Sequence, residues 1–422
     1  MHLTREEERI YEGEEGWARK KAMEILVAIG DINNASKLIP IKSAHISGAS
    51  YKTIGDAFEF INRLGIDVGI DNEIDRTVKV KSTLNPIGMD RERWNVMNVS
   101  NKFVAKQKEV INAYTKLGIT AECTCVPYLI GNTPEMGEHI AWSESSAVLY
   151  ANSVLGARTN IEGAPSALAS ALIGKTPLYG LHETERREAE IRIRVSVNVD
   201  RLITDADYSA LGFLIGELAS SKIPLIELSP SSFLSSSLSP SKDELKHLSA
   251  AIGATGSIGL YHIDIAGLVE VDFPVPSERA EIEEADLKRF YEDWDWDCDC
   301  DCDTGTEKGG VVIAIGCPHC SAQELQHIYE LLSAESRGRK VRNELFIFTA
   351  RAIKERMQET VRKIEDYGVK VICDTCFVVS PAFENYRCVI TNSGKMLRYV
   401  PLLCGSAKVK LCKTEECVRR AF

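Results

Sequence analysis

From residue 311 onward, the chain alternates apolar strand-like segments with helical ones, and this alternation most constrains the fold. Residues 311–316 form a continuous apolar run, and the pattern predicts a helix from 321 to about 333. A second strand and helix at 345–349 and 351–367 lead into a third strand at 369–373. Strands that are apolar on both faces and separated by helices are typical of a parallel sheet with right-handed crossovers. The sequence therefore predicts an α/β protein.

The length of the chain indicates several domains, because 422 residues are too many for one ordinary hydrophobic core. We predict an N-terminal α/β domain at 1–190 and a central α/β domain at 191–280. An acidic linker rich in Asp and Cys follows at 281–309, and a C-terminal α/β domain occupies 310–422.

Composition excludes several classes of protein. The net charge is −11, the sequence pI is near 5.4, and no cluster of Lys and Arg is interleaved with aromatic residues, which argues against a nucleic-acid partner. We find neither a signal or transit peptide nor an apolar run of the ~18 residues that a membrane span needs. The odd count of 13 cysteines indicates reduced thiols, some of them serving a metal. We therefore expect a cytoplasmic protein.

Three cysteines occur just after predicted strands, at Cys125, Cys317 and Cys376. Open α/β sheets gather ligands at the carboxyl ends of their strands, so three thiolates could converge there. Iron–sulfur clusters usually take four thiolates, and a set of three would leave one iron open for catalysis. Two alternatives stay open. The pairs Cys317/Cys320 and Cys373/Cys376 have zinc-ribbon spacing, and any one cysteine can be a small buried hydrophobe.

Polar loops follow several other strands. The segment 47–56 has small residues, hydroxyl groups and Lys52 before a helix, which suits an anion or carboxylate pocket, although a simply capped helix is the commoner explanation of such a pattern. The loop at 83–90 comes after a second strand. Residues 121–160 contain Glu138 and His139, and then a helix that opens with Ser143, Glu144 and further serines.

The run at 293–303 alternates Asp and Cys. It could hold a soft metal, but cysteine at every second residue does not match the usual Cys-x2-Cys clamp. We interpret this run as a solvated linker, because Asp-rich tracts lack the apolar surface needed for folding.

Four long motifs occur in order along the chain: HISGASYKTIGD at 45–56, GEHIAWSESS at 137–146, GCPH at 316–319 and TNSGK at 391–395. Together they resemble the aconitase X family over nearly the whole chain, with the Asp/Cys run as the main departure. The resemblance implies an aconitase-like multi-domain fold, with parallel-sheet α/β modules around a cluster. It also implies that the swivelling domain is absent from this chain.

The resemblance implies a hydro-lyase subunit with a [4Fe-4S] cluster held by Cys125, Cys317 and Cys376. In the archaeal mevalonate pathway of isoprenoid synthesis, the implied reaction converts 5-phosphomevalonate to trans-anhydromevalonate 5-phosphate. A small subunit would carry the swivelling domain and a catalytic serine, forming a heterodimer with this chain.

The resemblance also implies roles for individual polar residues. Glu138, His139 and Glu144 are the candidates for protonating the departing hydroxyl group or orienting its acid. The carboxylate and phosphate of the substrate would be bound by Gly48, Ala49, Ser50, Lys52, Asn85, Ser143, Ser145, Asn392, Ser393 and Lys395.

Two other functions remain open at this point. The same enzyme fold could dehydrate a hydroxyproline-type acid, as the cis-3-hydroxy-L-proline dehydratases of the family do. Alternatively, the chain could be a non-enzymatic scaffold that zinc or a cluster stabilises and that binds a partner.

Overall fold

The computed structural model describes residues 1–65, 77–197, 204–228, 240–265, 273–292, 310–405 and 407–422. Over these ranges the chain forms two compact units, Met1–Arg187 and Glu188–Phe422. The Asp/Cys run at 293–303 lies outside the described residues. Residues 281–292, which we assigned to the start of the linker, instead complete a strand and form a helix. None of the helices in the described ranges is long and apolar enough to span a bilayer.

The first unit is built on a four-stranded sheet and a separate pair of strands. The strands of the unit are β1 (Leu38–Pro40), β2 (Ser43–Ile46), β3 (Lys81–Leu84), β4 (Thr120–Cys123), β5 (Ala141–Trp142) and β6 (Lys175–Pro177). Its helices are α1 (Arg5–Glu12), α2 (Trp17–Ile32), α3 (Tyr51–Ile54), α4 (Phe58–Gly65), α5 (Asn101–Lys116), α6 (Ser145–Ser153) and α7 (Ala164–Ile173). The sheet has the order β4-β3-β2-β5 with every pair parallel, while β1 and β6 form a separate antiparallel pair.

The core of the first unit lies around β2 and α7. All four residues of β2 are buried, as expected for a strand inside a parallel sheet with both faces covered. Helix α7 is composed almost entirely of small and apolar residues, and most of them are buried. These two elements make the sheet a rigid support for the loops that follow its strands.

The second unit contains two parallel sheets. Its strands are β7 (Ile191–Ser196), β8 (Pro224–Leu228), β9 (His262–Ile265), β10 (Arg279–Glu283), β11 (Val311–Cys320), β12 (Glu344–Thr349), β13 (Lys370–Cys373), β14 (Cys388–Thr391) and β15 (Lys408–Leu411). Its helices are α8 (Asp205–Ala219), α9 (Lys242–Thr255), α10 (Glu284–Glu292), α11 (Ala322–Ser336), α12 (Arg351–Arg356), α13 (Gln358–Asp366), α14 (Gly394–Leu403) and α15 (Thr414–Arg419).

The strand orders are β10-β7-β8-β9 in one sheet and β13-β12-β11-β14-β15 in the other, and every pair is parallel. The predicted α/β class with parallel sheets is therefore confirmed. Helices α8 and α9 pack so closely that only glycine fits at position 212, where a Cβ atom would lie 2.5 Å from Leu248 O. The segments predicted as separate domains, 191–280 and 310–422, both belong to this second unit.

Candidate active site

The loops that follow β2, β3 and β5 meet at the carboxyl edge of the first sheet. Ser47 N–H donates to Ser143 Oγ at 2.7 Å, and Ser143 Oγ donates to His45 O at 3.0 Å. The Asn85 backbone N–H donates to Ile46 O at 2.9 Å. The predicted site residues that follow strand ends at this edge are Gly48, Ala49, Ser50, Asn85, Cys125, Ser143, Glu144 and Ser145.

Glu144 is the most firmly held carboxylate at this edge. Its Oε2 accepts from Asn85 Nδ2 at 2.5 Å, and its Oε1 accepts from Ser146 Oγ at 2.9 Å. Glu144 itself is only 8% exposed. Hydrogen bonds from these two uncharged donors fix the orientation of the carboxylate. One N–H of the Asn85 amide is engaged with Glu144, and because the amide nitrogen carries a second N–H, its role as a donor to a substrate carboxylate or phosphate stays a prediction.

The loop after β2 is held by Gln107 of α5. Gln107 Nε2 donates to Ala49 O at 2.8 Å, and Gln107 Oε1 accepts from the Tyr51 N–H at 2.9 Å and the Gly88 N–H at 3.0 Å. In the described part of the chain, the backbone N–H groups of Gly48 and Ala49 have no protein acceptor. Adjacent unpaired N–H groups favour an anion, in line with the pocket predicted for this loop.

Glu138 and His139 lie at the opposite edge of the same sheet. Lys42, which directly precedes β2, donates its N–H to His139 O at 2.8 Å, and Lys42 Nζ lies 3.4 Å from Glu138 Oε1. The two-residue strand β5 separates these positions from Glu144. The structure therefore does not bring the three predicted catalytic residues together, and Glu138 and His139 lie away from the loops that hold Glu144.

His139 pairs instead with another histidine. Its Nδ1 lies 2.9 Å from His182 Nδ1. Burial lowers the pKa of His182 to about 3, and burial beside Arg158 lowers the pKa of His139 as well. Both rings are thus neutral near pH 7, with one Nδ1 donating to the other. This contact joins two loops and has the character of a structural pair.

In the second unit, Cys317 lies within a strand rather than after one. We predicted that the strand ends at residue 316, but β11 continues to Cys320, with an irregular register opposite β12 between Ile315 and Cys320. Gly316 makes this bend possible, because its φ is +104° and a Cβ atom would lie 2.2 Å from Phe348 O. The irregularity places Cys317 at the carboxyl edge of the sheet all the same.

Cys376 lies in the loop after β13, as the sequence predicted, and this loop is joined to the Cys317 loop. His319 Nε2 lies 2.8 Å from Thr375 O, so the ring N–H donates to that carbonyl. His319 is fully buried, and Cys317 and Cys376 are 2% and 7% exposed. Two of the three predicted metal ligands thus lie in hydrogen-bonded loops at one sheet edge.

Asn392 and Ser393 follow β14 at this edge, but their donors are already engaged. Ser393 Oγ donates to Cys317 O and accepts from the Met396 N–H at 3.2 Å as the cap of α14. Asn392 Nδ2 donates to Asp205 Oδ2 at 2.6 Å, while Asn392 Oδ1 is buried without a hydrogen bond. Ser393 therefore braces the cysteine loop, and Asn392 offers a ligand an acceptor, not the anion-binding donor that we predicted.

A buried ion-pair network lies behind the Cys317 loop. Lys246 Nζ forms a salt bridge with Glu324 and donates to His319 O at 3.2 Å, and His247 Nε2 lies 2.7 Å from Glu324 Oε1. The positive charge of Lys246 and the hydrogen bond from His247 outweigh burial and lower the pKa of Glu324, while Glu324 raises the pKa of Lys246. Glu324, His247 and Asp205 are close enough together for a metal ion, but the Lys246 ammonium already supplies the cation.

Sequence reasoning missed the residues that support the site. Gln107, Lys246 and Glu324 lie on helices, where they read as ordinary polar positions. The one available signal was for His45, which opens the motif at 45–56 and belongs to a strand whose other residues are small or apolar. A polar ring at a fully buried strand position needs a hydrogen-bond partner, so such a histidine is a candidate for a structural or functional role.

The chain matches known domain families along most of its length. Residues 1–185 match the profile described as Aconitase X first domain, residues 189–292 match Aconitase X second domain and residues 311–422 match Aconitase X third domain. The chain is 46% identical to the phosphomevalonate dehydratase large subunit of Methanosarcina mazei, over 100% of this chain and 97% of that protein.

Two further similarities extend the comparison. The chain is 30% identical to the cis-3-hydroxy-L-proline dehydratase of Hypocrea jecorina, over 96% of this chain and 66% of that protein. The crystal structure of Thermococcus kodakaraensis aconitase X in its holo-form superimposes with a TM-score of 0.83 and 41% sequence identity, covering 100% of both chains.

Proposed function

Because this chain belongs to the aconitase X family, we propose that it is the large subunit of a hydro-lyase that converts 5-phosphomevalonate to trans-anhydromevalonate 5-phosphate. The observation that carries this proposal is the 46% identity, over the whole chain, to a protein named phosphomevalonate dehydratase large subunit. The name of that relative also supports a small-subunit partner, to which we assign the swivelling domain and the catalytic serine.

The proposed cofactor is a [4Fe-4S] cluster with Cys125, Cys317 and Cys376 as its ligands. Thiolates are the usual donors to iron–sulfur clusters, and all three side chains are buried at the ends of parallel strands. The hydrogen bond between His319 and Thr375 O joins the segments that carry Cys317 and Cys376, which supports these two as ligands of one group. When bound, the cluster would supply a Lewis acid for the hydroxyl and carboxylate groups of the substrate.

We assign the proton at the leaving hydroxyl group to Glu144. Asn85 and Ser146 orient its carboxyl group, and a proton donor must reach the reacting oxygen within a hydrogen bond. Glu138 and His139, at the other sheet edge, are left out of this role.

The remaining polar residues are proposed to bind the substrate. The unpaired N–H groups of Gly48 and Ala49 suit a carboxylate or phosphate, with the cations of Lys52 and Lys395 as further anion-binding groups. Ser145 carries a hydroxyl group that has no protein partner over the described ranges, and it supplies one more donor.

The decisive experiment is to co-express the chain with its small subunit under anaerobic conditions and to assay water loss from 5-phosphomevalonate. The expected result is turnover by the pair and none by the large chain alone. A parallel assay with cis-3-hydroxy-L-proline tests the rival substrate that the 30% identical relative suggests. Turnover of cis-3-hydroxy-L-proline but not of 5-phosphomevalonate would overturn the assigned substrate. Activity of the large chain without its partner would contradict the assignment of the catalytic serine to the small subunit.

The cofactor is tested by iron and sulfide analysis of anaerobically purified protein. We expect about four irons per chain with matching sulfide, as a cubane cluster requires. One or two zinc ions without sulfide would support the scaffold alternative and refute the cluster. Single Cys→Ser substitutions at Cys125, Cys317 and Cys376 should each lower iron content. C388S changes a buried cysteine on β14 outside the proposed set and serves as the matched control.

A further inference from the structure

His45 is a fully buried polar side chain at the centre of the first sheet. It lies on β2 with 0% exposure, between β3 and β5. Its Nδ1 lies 2.8 Å from Thr83 Oγ1, and its ring meets Trp142 edge to face at 5.9 Å. The function proposed above gives this residue no role, although its carbonyl oxygen already holds Ser143.

The hydrogen bonds on the Thr83 side fix the tautomer of His45. Asn132 Nδ2 donates to Ala44 O at 3.2 Å and to Thr83 Oγ1 at 3.0 Å. A carbonyl oxygen only accepts, so the amino group of Asn132 must face both atoms. Thr83 Oγ1 therefore accepts a hydrogen bond from Asn132. Its own hydroxyl group donates to His45 Nδ1, the one acceptor for this hydroxyl in the described part of the chain. We assign the ring proton of His45 to Nε2.

The hydrogen bond to Glu144 fixes the orientation of the Asn85 amide in the same way. The carboxylate of Glu144 only accepts, so the amino group of Asn85 must face it, and Oδ1 of Asn85 is the atom left over. Oδ1 is buried and makes no hydrogen bond, and the same holds for Nε2 of His45. The Asn85 side chain and the Thr124 backbone are both close enough to His45 to favour its protonated ring. His45 thus has a buried donor without a hydrogen bond and Asn85 a buried acceptor without one, on two neighbouring side chains.

We propose that His45 is a positioning residue, whose Nε2–H holds the Asn85 amide in the orientation that presents its N–H to Glu144. The proposal deepens the function proposed above and depends on the role given there to Glu144. Hydrogen bonds then run in one direction, from Asn132 through Thr83, His45 and Asn85 to the carboxylate. If the Asn85 amide turned over, its oxygen would face Glu144, and the carboxylate would lose the Asn85 donor.

The buried setting suits a permanent donor. Burial lowers the pKa of His45 to about 4, although Glu144 and Asn85 oppose this shift, so the ring is neutral near pH 7. A neutral ring has one N–H and one bare nitrogen, and only this form both accepts from Thr83 and donates on the other side. An unpaired buried donor is also costly, which favours a hydrogen bond from His45 Nε2 to the unsatisfied Asn85 Oδ1.

The tautomer is tested first, by ¹⁵N NMR of the full chain labelled at histidine, with H45Q used to assign the signal. The expected result is a neutral ring protonated at Nε2 between pH 6 and 8. T83V removes the hydroxyl donor at nearly constant volume and should allow the proton to move to Nδ1. T115V alters an exposed threonine on α5 and should leave the His45 signal unchanged. A wild-type ring protonated at Nδ1, or at both nitrogens, would overturn the proposal.

Kinetics of the complex with the small subunit test the role in turnover. In H45Q the amide nitrogen can reach the place of Nε2 and donate, whereas in H45N it reaches only the place of Nδ1. We expect H45N and T83V to lower kcat by about 10- to 100-fold with little change in KM, and H45Q to recover much of the loss. Equal kcat in H45N, H45Q and the wild type would refute the positioning role.

A purely structural role is recognised by thermal unfolding of the same variants. If H45Q is as inactive as H45N and both lose activity only in step with their melting temperatures, His45 supports the fold alone and the proposal fails. If the wild-type complex does not dehydrate 5-phosphomevalonate at all, the proposed function fails, and the NMR result on the tautomer is unaffected.

Discussion

Replacing Lys246 by Met should strongly destabilise the second unit. The Lys246 side chain is 1% exposed, and its ammonium group pairs with Glu324, approaches Asp243 Oδ1 at 3.4 Å and donates to His319 O. In K246M the Glu324 carboxylate stays in the interior without its cation, although His247 and the Ser321 N–H still donate to it. The loss therefore comes from an uncompensated buried charge rather than from a missing favourable contact.

The magnitude follows from the burial of this pair. Removing one partner of a buried ion pair costs about 3–5 kcal/mol, and a unit of this size loses about 2–4 °C of melting temperature per kcal/mol. We therefore expect K246M to lower the melting temperature of the apo chain by roughly 6–20 °C. The matched control is K363M, since Lys363 pairs with Glu359 on an exposed helix face, where solvent screening leaves such a pair little effect on stability.

The assay is calorimetry or circular dichroism of the apo chain, with the double variant K246M/E324Q as the critical comparison. Neutralising Glu324 removes the buried charge, so the double variant should regain a large part of the stability lost in K246M. The reasoning is refuted if K246M melts like K363M, or if K246M/E324Q is as unstable as the sum of its single changes, because either outcome means that the two charges do not interact.

Three further outcomes follow from the structure. Gly316→Ala should destabilise the chain by at least about 1–3 kcal/mol in urea unfolding, because its left-handed backbone leaves no room for a Cβ atom beside Phe348; equal stability would contradict the observed bend. Ser393→Ala should cost about 0.5–2 kcal/mol through the lost helix cap, measured in the same way, and should also lower iron retention. His45 and His182, with pKa values of about 4 and about 3, lie below the unfolded value of 6.5, so the unfolded chain binds more protons and stability should fall as pH drops from 6.5 by about 1.4 kcal/mol per unit per ring. H45Q should reduce the measured slope by about 1.4 kcal/mol per pH unit, and an unchanged slope would show that His45 is already protonated in the folded chain.

The sheets could be predicted from the sequence because their signal is local. Continuous apolar runs that alternate with amphipathic helices predict parallel strands. The positions of Cys376 and Glu144 could be predicted as well, because each follows a strand at the carboxyl edge of its own sheet. The sequence did not predict strand β5, since two residues carry no periodicity. Without this strand, His139 and Glu144 were assigned to one catalytic set although they lie on opposite sides of it.

Other errors came from interactions between distant positions. The continuation of β11 past Gly316 depends on how Phe348 packs against it, which the run of residues around Gly316 does not encode. The pairing of Lys246 with Glu324 joins two different helices, each of which looks ordinary alone. Donor availability was also invisible: whether Asn392 has a free N–H depends on Asp205, far away along the chain.

The loops that carry Cys317 and Cys376 are tied down through their backbone carbonyl groups. Ser393 donates to Cys317 O, Lys246 donates to His319 O, and His319 donates to Thr375 O. None of these bonds involves a thiol. The backbone conformation of these two segments therefore does not depend on the sulfur atoms of the proposed ligands. A homologue could replace one of these cysteines by a residue with an oxygen or nitrogen ligand and keep the same backbone.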